Sequence, residues 1–345
     1  MNARQFLTKI YKLNPERHDE KNALDALTKM IEPDLKLINH IILKETENRV
    51  SLIPKLANHI ISSGGKRLRP MLTIAAAKLC KYSGERHIKL AACVEFIHTA
   101  TLLHDDVVDS SILRRGVKTA NTVWGNESSV LVGDYLFSRA FQLMVSDGSL
   151  EVLKLLSDTS AIIAQGEVHQ LLTKNDLDTS EDTYLDVIGA KTAALFSAAC
   201  KVSGIVADRK IADQESLESY GKNLGMAFQL IDDALDYSAT SITLGKSRGD
   251  DFKEGKITIP VILAYRRGNS EERSFWKKTL VSCNQDENDF EHAISLMTKH
   301  NSLRDTINRA KHYGDKAKDA LAIFPNDKTK ETLINLVDYC IKRDN

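Results

Sequence analysis

An all-α fold is predicted for this chain of 345 residues. Three observations carry the prediction. Apolar residues recur at helical rather than alternating spacing, no Asn-Gly hairpin or sustained period-2 strand occurs, and only six prolines and 17 glycines interrupt the sequence. The recurrence is plain in Ile88, Ala91, Ala92, Cys93, Phe96, Ile97, Ala100 and Leu103.

In chain order, residues 1–30 are polar and read as a peripheral N-terminal extension. Helical patterns then run through about 34–62, 68–80, 88–103, 128–146, 150–173, 182–206, 213–238 and 258–267. The stretch Ala190 to Val202 is apolar nearly all round, as expected of a helix buried in a large bundle or at a subunit contact. Residues 268–290 are polar and again read as peripheral. No composition break marks a second domain, so a single domain over 1–345 is expected.

The 47 basic and 47 acidic residues cancel, which offers no footprint for a nucleic-acid partner and leaves phosphate chemistry to local clusters. Five cysteines, odd in number and without C-x-x-C spacing, argue against a disulfide framework or zinc knuckle and suit a reducing compartment. No apolar run approaches the roughly 20 residues needed to span a bilayer, and the N-terminus lacks an apolar signal core. A cytoplasmic protein with no stable membrane anchor is expected.

The chemistry concentrates in two aspartate clusters, Asp105-Asp106-Val107-Val108-Asp109 and Asp232-Asp233-Ala234-Leu235-Asp236. Residues i and i+4 of a helix share a face, so Asp105 and Asp109 are neighbours, as are Asp232 and Asp236. Like charges so placed destabilise a helix, and each cluster follows an apolar stretch that adds desolvation cost. A cation is needed there. Oxygen-only ligands without paired His or Cys favour a hard ion, and magnesium bridging carboxylates to substrate phosphates fits best. Recurrence of the cluster suggests carboxylates facing each other across one cavity. Cations punctuate the same helix ends: Lys66, Arg67 and Arg69 behind Gly64-Gly65, Arg114 and Arg115 after the first cluster, Lys246 and Lys256 after the second. That arrangement suits a polyphosphate held through metals and direct contacts.

The segments GGKRLRP (64–70), EFIHTATLLHDDVVDSSILRRG (95–116), VGDYLFSRAF (132–141), GEVHQL (166–171), KTAALF (191–196), GMAFQLIDDALDY (225–237) and GKSRGDDFKEGKITIPVI (245–262) together resemble the trans-prenyl diphosphate synthases, or polyprenyl synthetases. The likeness is nearest to the long-chain bacterial branch that makes the octaprenyl or decaprenyl side chain of ubiquinone. It implies a large orthogonal helix bundle of the isoprenoid synthase type with a central cavity. It also implies a homodimer acting on isopentenyl diphosphate and an allylic diphosphate, farnesyl or geranylgeranyl.

Position by position, the resemblance puts isopentenyl diphosphate at Lys66, Arg69, His98 and Arg115. It puts the allylic diphosphate at Arg114, Lys191, Thr192, Gln229, Lys246 and Lys256. Magnesium ions fall to Asp105, Asp109, Asp232 and Asp236, with Asp106 and Asp233 acting behind them. Asp105, Asp109, Asp232, Lys191 and Lys246 are the implied catalytic set. Residues outside 64–262 match less well and receive no chemistry. Roughly 6–8 Å below Asp105 along the helix stand Ala100 and Thr101, where short-chain members carry an aromatic plug. Small side chains there imply a long product, C40 to C50, with octaprenyl diphosphate (C40) favoured over a shorter farnesyl or geranylgeranyl product.

Three other readings share features with this one. The His104-Asp105 pair occurs in HD-type phosphohydrolases, which need further histidines as ligands. Terpene cyclases use D-D-x-x-D but have no use for Lys66 and Arg69. A non-catalytic synthase subunit is expected to carry degenerate aspartate motifs, and both are intact here.

Overall fold

The computed structural model describes residues 17–63, 65–238 and 249–343. Its first half runs α1 (Arg17–Thr46), α2 (Leu52–Ser62), α3 (Leu68–Leu79), α4 (Arg86–Val108), strands β1 (Leu113–Arg114) and β2 (Val117–Lys118), α5 (Ala120–Trp124), α6 (Asn126–Asp147) and α7 (Leu150–Thr173). Then come α8 (Glu181–Ile188), a π turn (Gly189–Ala193), α9 (Ala194–Val206), α10 (Ile211–Ser238) and α11 (Asp250–Lys253). The chain finishes with α12 (Ile259–Arg267), α13 (Ser270–Trp276), a second π turn (Lys277–Val281), α14 (Asp289–Lys299), α15 (Ser302–Ala320) and α16 (Lys328–Lys342).

Helices α7, α8, α13 and α16 start where side chains take over orphan backbone N–H groups. Ser149 accepts from the Val152 N–H before α7, Ser180 from Thr183 before α8, and Asp327 from Lys330 before α16. Asn269 and Glu272 form a reciprocal capping box at α13. Helices α3, α4 and α9 are buried around most of their circumference and form the centre of the bundle. Around them, α4 packs on α6, and α9 packs on α3, α4 and α10, with α15 covering the outer side of α10.

Several sequence expectations change. The 34–62 pattern is two helices separated at residues 47–51. Residues 17–30, expected to be peripheral, open α1, whose Leu27, Ile31, Ile38 and Ile42 are at most 1% exposed. That stripe packs on α16 and α4; one narrow apolar row is enough to seat a helix that is polar in composition. The 268–290 segment likewise buries Trp276 and Leu280 completely. The strand pair was not expected. β1 and β2 align Arg114 with Val117, so Arg115 and Gly116 form the connecting turn. Both have positive φ, 54° and 77°, as a type I′ hairpin requires. Among the described residues no helix is long and apolar enough to cross a membrane.

Candidate active site

A cavity of about 740 Å³ lies between α4, α7, α10 and the first π turn. It gathers almost every candidate residue. Lys66, Arg69, His98, Thr101, Asp105, Asp109, Arg114, Arg115, Lys191, Thr192, Gln229, Asp232, Asp236 and Lys256 all line it. Lys246 lies outside the described residues. Ala100 does not line the cavity: it is fully buried, whereas its neighbour Thr101 faces the opening. Successive helix residues point about 100° apart, so only one of the two can face the space below Asp105.

The first carboxylate wall is the C-terminal end of α4. Asp105 and Asp109 are partly exposed there and are already met by cations, Lys191 Nζ lying 3.4 Å from Asp105 and Lys256 Nζ 3.1 Å from Asp109. Burial works to raise the Asp109 carboxyl, but Lys256 and Lys191 outweigh it and hold it below its ordinary range. Asp106 points the other way, 1% exposed, and Arg114 donates to it through Nε at 2.9 Å and Nη2 at 2.7 Å. Arg114 therefore reaches the cavity only as part of a fork onto Asp106, which ties the hairpin to α4.

The second wall is α10. Asp233 is buried, and burial, then Asp251, push its carboxyl up. It accepts hydrogen bonds from the Tyr184 hydroxyl and from Gln229 Nε2, while Thr192 Oγ1 donates to Gln229 Oε1 at 2.8 Å. Asp236 accepts the Asp251 backbone N–H at 3.2 Å, so this carboxylate also holds the start of α11. Asp232 is the most open of the three, its side chain 42% exposed. It is met by Arg343, from the end of α16.

Arg343 is a residue that sequence reasoning left without a role. Its guanidinium donates to Asp232 at 2.5 Å and to the Phe228 carbonyl at 2.9 Å, and lies 3.7 Å above the Phe228 ring. Its side chain is only 5% exposed. The one local signal was a cation just past an amphipathic helix, which ordinarily reads as a partner of the helix dipole. Glu167 was also missed as a functional group. It binds Lys191 Nζ at 2.6 Å, and burial, then Asp105, push its carboxyl up. Lys191 is itself pulled down by burial, but Asp105 and Glu167 more than offset this and keep it charged.

The remaining cations form a separate cluster. Arg69 is pushed down to about 10 by burial and lies 4.5 Å over the Phe196 ring. Its Nη1 is 3.1 Å from His98 Nε2. Arginine can only donate, so Nε2 accepts and the imidazole proton sits on Nδ1. Burial and Arg69 hold His98 well below its usual range, keeping it neutral. Gly65, at φ +145°, packs so close to the Arg115 guanidinium that a Cβ would overlap it. That contact brings the hairpin tip to the Lys66–Arg69 segment. Glu95 sits on the same wall, 7% exposed, with one carboxylate oxygen unpartnered and Arg67, Arg69 and Arg115 around it.

His104, the residue that suggested a phosphohydrolase, faces away from the cavity. Its Nε2 lies 3.2 Å from the Val130 carbonyl and its ring fills the space beside Gly133 on α6. Among the described residues no three His, Cys, Asp or Glu side chains converge as a ready-made metal cage. The carboxylates instead sit on two walls, α4 and α10, that both pack on α9. A hard cation there would take one or two carboxylates per wall and complete its shell with phosphate oxygens and water.

Known proteins are similar to this chain in sequence and fold. The polyprenyl synthetase family model matches residues 50–297. An octaprenyl diphosphate synthase from Escherichia coli is 44% identical over 321 residues, covering 93% of this chain and 99% of that protein. The crystal structure of a decaprenyl diphosphate synthase from Rhodobacter capsulatus superposes with a TM-score of 0.90 at 49% identity, covering 93% of this chain and 99% of that one. A polyprenyl synthase from Caulobacter crescentus, complexed with calcium and isoprenyl diphosphate, does so with a TM-score of 0.91 at 48% identity, covering 93% and 98%. With two aspartate-lined walls around one helical cavity and likeness along nearly its whole length, this chain belongs to the polyprenyl synthetase family.

Proposed function

We propose that the chain is a long-chain trans-polyprenyl diphosphate synthase. It condenses isopentenyl diphosphate repeatedly with an allylic diphosphate, to a C40–C50 product with octaprenyl diphosphate first among them. One observation carries the reading: a single cavity joins two carboxylate walls, a lysine cluster and a separate arginine cluster, with small Thr101 rather than an aromatic ring beneath Asp105.

Asp105, Asp109 and Asp232 are suited to hold Mg²⁺, with Asp236 also engaged by the Asp251 backbone N–H at the start of α11. Bound there, the metal supplies Lewis-acid stabilisation of the departing diphosphate. Lys191 and Lys256, both kept protonated by their carboxylate neighbours, face the same charge directly. The allylic C–O bond breaks with its electron pair on the diphosphate, leaving an allylic cation. Lys66, Arg69 and Arg115 bind isopentenyl diphosphate so that its double bond attacks that cation, and positioning supplies much of the rate. A proton then passes to the released diphosphate. Leu102, Val187, Ile188, Phe196 and Phe228 line the cavity and keep water from the cation.

Mass analysis of the product made from farnesyl or geranylgeranyl diphosphate, isopentenyl diphosphate and magnesium tests the reading. A C40 to C50 distribution is expected, and a product stopping at C20 would overturn the long-chain assignment. Thr101→Phe is expected to shorten the product by several isoprene units. Ala100→Phe is expected mainly to overpack the core, destabilising the fold by about 1–3 kcal/mol.

A homodimer is part of the proposal. Leu131 and Val145 on α6, and Leu150, Val168 and Leu172 on α7, are each at least 60% exposed. By helical periodicity each set lies close to one face, a pattern that marks a contact surface in soluble proteins. A second copy is the occupant we infer, since each of these helices already packs its opposite side within the chain. Light scattering is expected to give twice the chain mass for the unaltered protein and a shift towards monomer for Leu131→Glu with Leu172→Glu. A monomeric unaltered protein would remove the idea.

A further inference from the structure

The 182–206 pattern reads as one helix, yet the backbone switches to a π turn over Gly189–Ala193 before continuing as α9. This turn carries Lys191 and Thr192 into the cavity. A π turn inside an α-helix is disfavoured and persists where its surroundings enforce it, commonly at functional sites. The surroundings here are two glycines on two different helices.

On α7, a Cβ at Gly166 would lie 2.8 Å from both Ala190 Cβ and the Lys191 backbone nitrogen. On α10, a Cβ at Gly225 would lie 2.7 Å from Ala193 Cα. Both are closer than real side chains come. Neither glycine has the positive φ that would itself call for glycine. A glycine inside a helix costs stability relative to alanine, so a packing reason is needed. By contrast, a Cβ at Gly189, inside the turn, meets nothing nearer than Met226 Sδ at 3.8 Å. The steric requirement therefore lies in the flanking helices and not in the turn.

Each flank repeats one construction. Beside Gly166 stands Glu167, which holds the Lys191 ammonium at 2.6 Å; one turn after Gly225 stands Gln229, which holds Thr192 Oγ1 at 2.8 Å. The glycine admits the backbone and the polar residue orients the side chain. We propose that Gly166 and Gly225 are positioning residues that clamp the π turn and thereby set the allylic diphosphate site. The proposal rests on the reading of Lys191 and Thr192 as ligands of that diphosphate.

In Gly166→Ala, the new methyl group displaces the turn by several tenths of an ångström. The allylic KM is expected to rise about tenfold or more, while the isopentenyl KM stays within about twofold. Helix propensity alone predicts the opposite: a slightly higher Tm and no change in either KM. Adding Ala190→Gly removes one of the two close contacts, and the double variant is expected to recover part of the allylic KM. Lys191→Ala, measured alongside, separates the two levels of inference. If it leaves the allylic KM unchanged, the site reading fails. If it raises that KM while Gly166→Ala does not, the clamp fails and the site reading stands. Loss of the folded state in both Gly166→Ala forms, seen by circular dichroism, would also overturn the clamp, since a local shift leaves the rest of the bundle standing.

Discussion

Asp105→Asn is expected to lower kcat for chain elongation by about 10³-fold, or roughly 4 kcal/mol of transition-state stabilisation. The substitution keeps the shape of the side chain and one carbonyl oxygen while removing the charge that a divalent ion and Lys191 both need. The loss falls on kcat because the charge matters most as the C–O bond ionises. Isopentenyl diphosphate should still bind, since Arg69 is held by His98 and the Phe196 ring and Arg115 packs against Gly65, contacts that do not involve Asp105. The fold should survive as well. Lys191 keeps Glu167 at 2.6 Å, so no buried ammonium is left without an anion. Single-turnover elongation with labelled isopentenyl diphosphate, beside a thermal melt, checks both halves. A kcat within tenfold of the unaltered enzyme would show that the α4 cluster is not the ionising site. Asp105→Asn with Asp109→Asn should cost little more than Asp105→Asn alone, because residues acting on one charge are strongly non-additive.

Arg343→Ala is expected to lower kcat/KM by roughly 10- to 100-fold, or about 1.4–2.7 kcal/mol. The guanidinium lines the cavity, where it donates to Asp232 and to the Phe228 carbonyl and stacks on the Phe228 ring. Its removal takes away a buried cation–π contact and a charge-assisted hydrogen bond, so a stability loss of about 1–3 kcal/mol should accompany the kinetic one. Arg343→Lys keeps the charge but not the planar fork or the stack, and should fall between the two. Steady-state kinetics and denaturant unfolding of the three proteins measure this. Unchanged kcat/KM in Arg343→Ala would reduce the residue to a structural cap on α16.

The helical class was legible in the sequence because amphipathic periodicity is local: each helix declares its buried face within a few turns. The aspartate clusters were legible for the same reason, since i, i+4 spacing alone places their charges side by side, and the Lys66–Arg69 segment was legible as cations gathered behind a glycine at a helix start. Composition misled at residues 17–30 and 268–290. A polar average hid the Leu27 stripe and Trp276, because a helix needs only a few apolar positions to dock. Periodicity could not report the π turn, since the stretch that follows it is apolar nearly all round and a rotation of its phase leaves no mark in the sequence.

Which aspartate does what depended on contacts far apart in the chain. Asp106 and Asp233 look like Asp105 and Asp232 in the linear motif, yet Arg114 turns one inward, and Tyr184 and Gln229 hold the other. Thr101 rather than Ala100 faces the cavity because of how α4 is rotated within the bundle. Arg343 meets Asp232 across 111 residues of sequence, a distance over which no spacing rule operates. Local chemistry, the residue types and their helical phase, was thus written along the chain from the start. The assignment of those residues to one cavity, and of each side chain to its partner, arose only when packing of the apolar faces set the rotation and separation of the helices. Burial is a property of the assembled bundle, and it is burial that decides which aspartates face the cavity and which are held by neighbouring side chains.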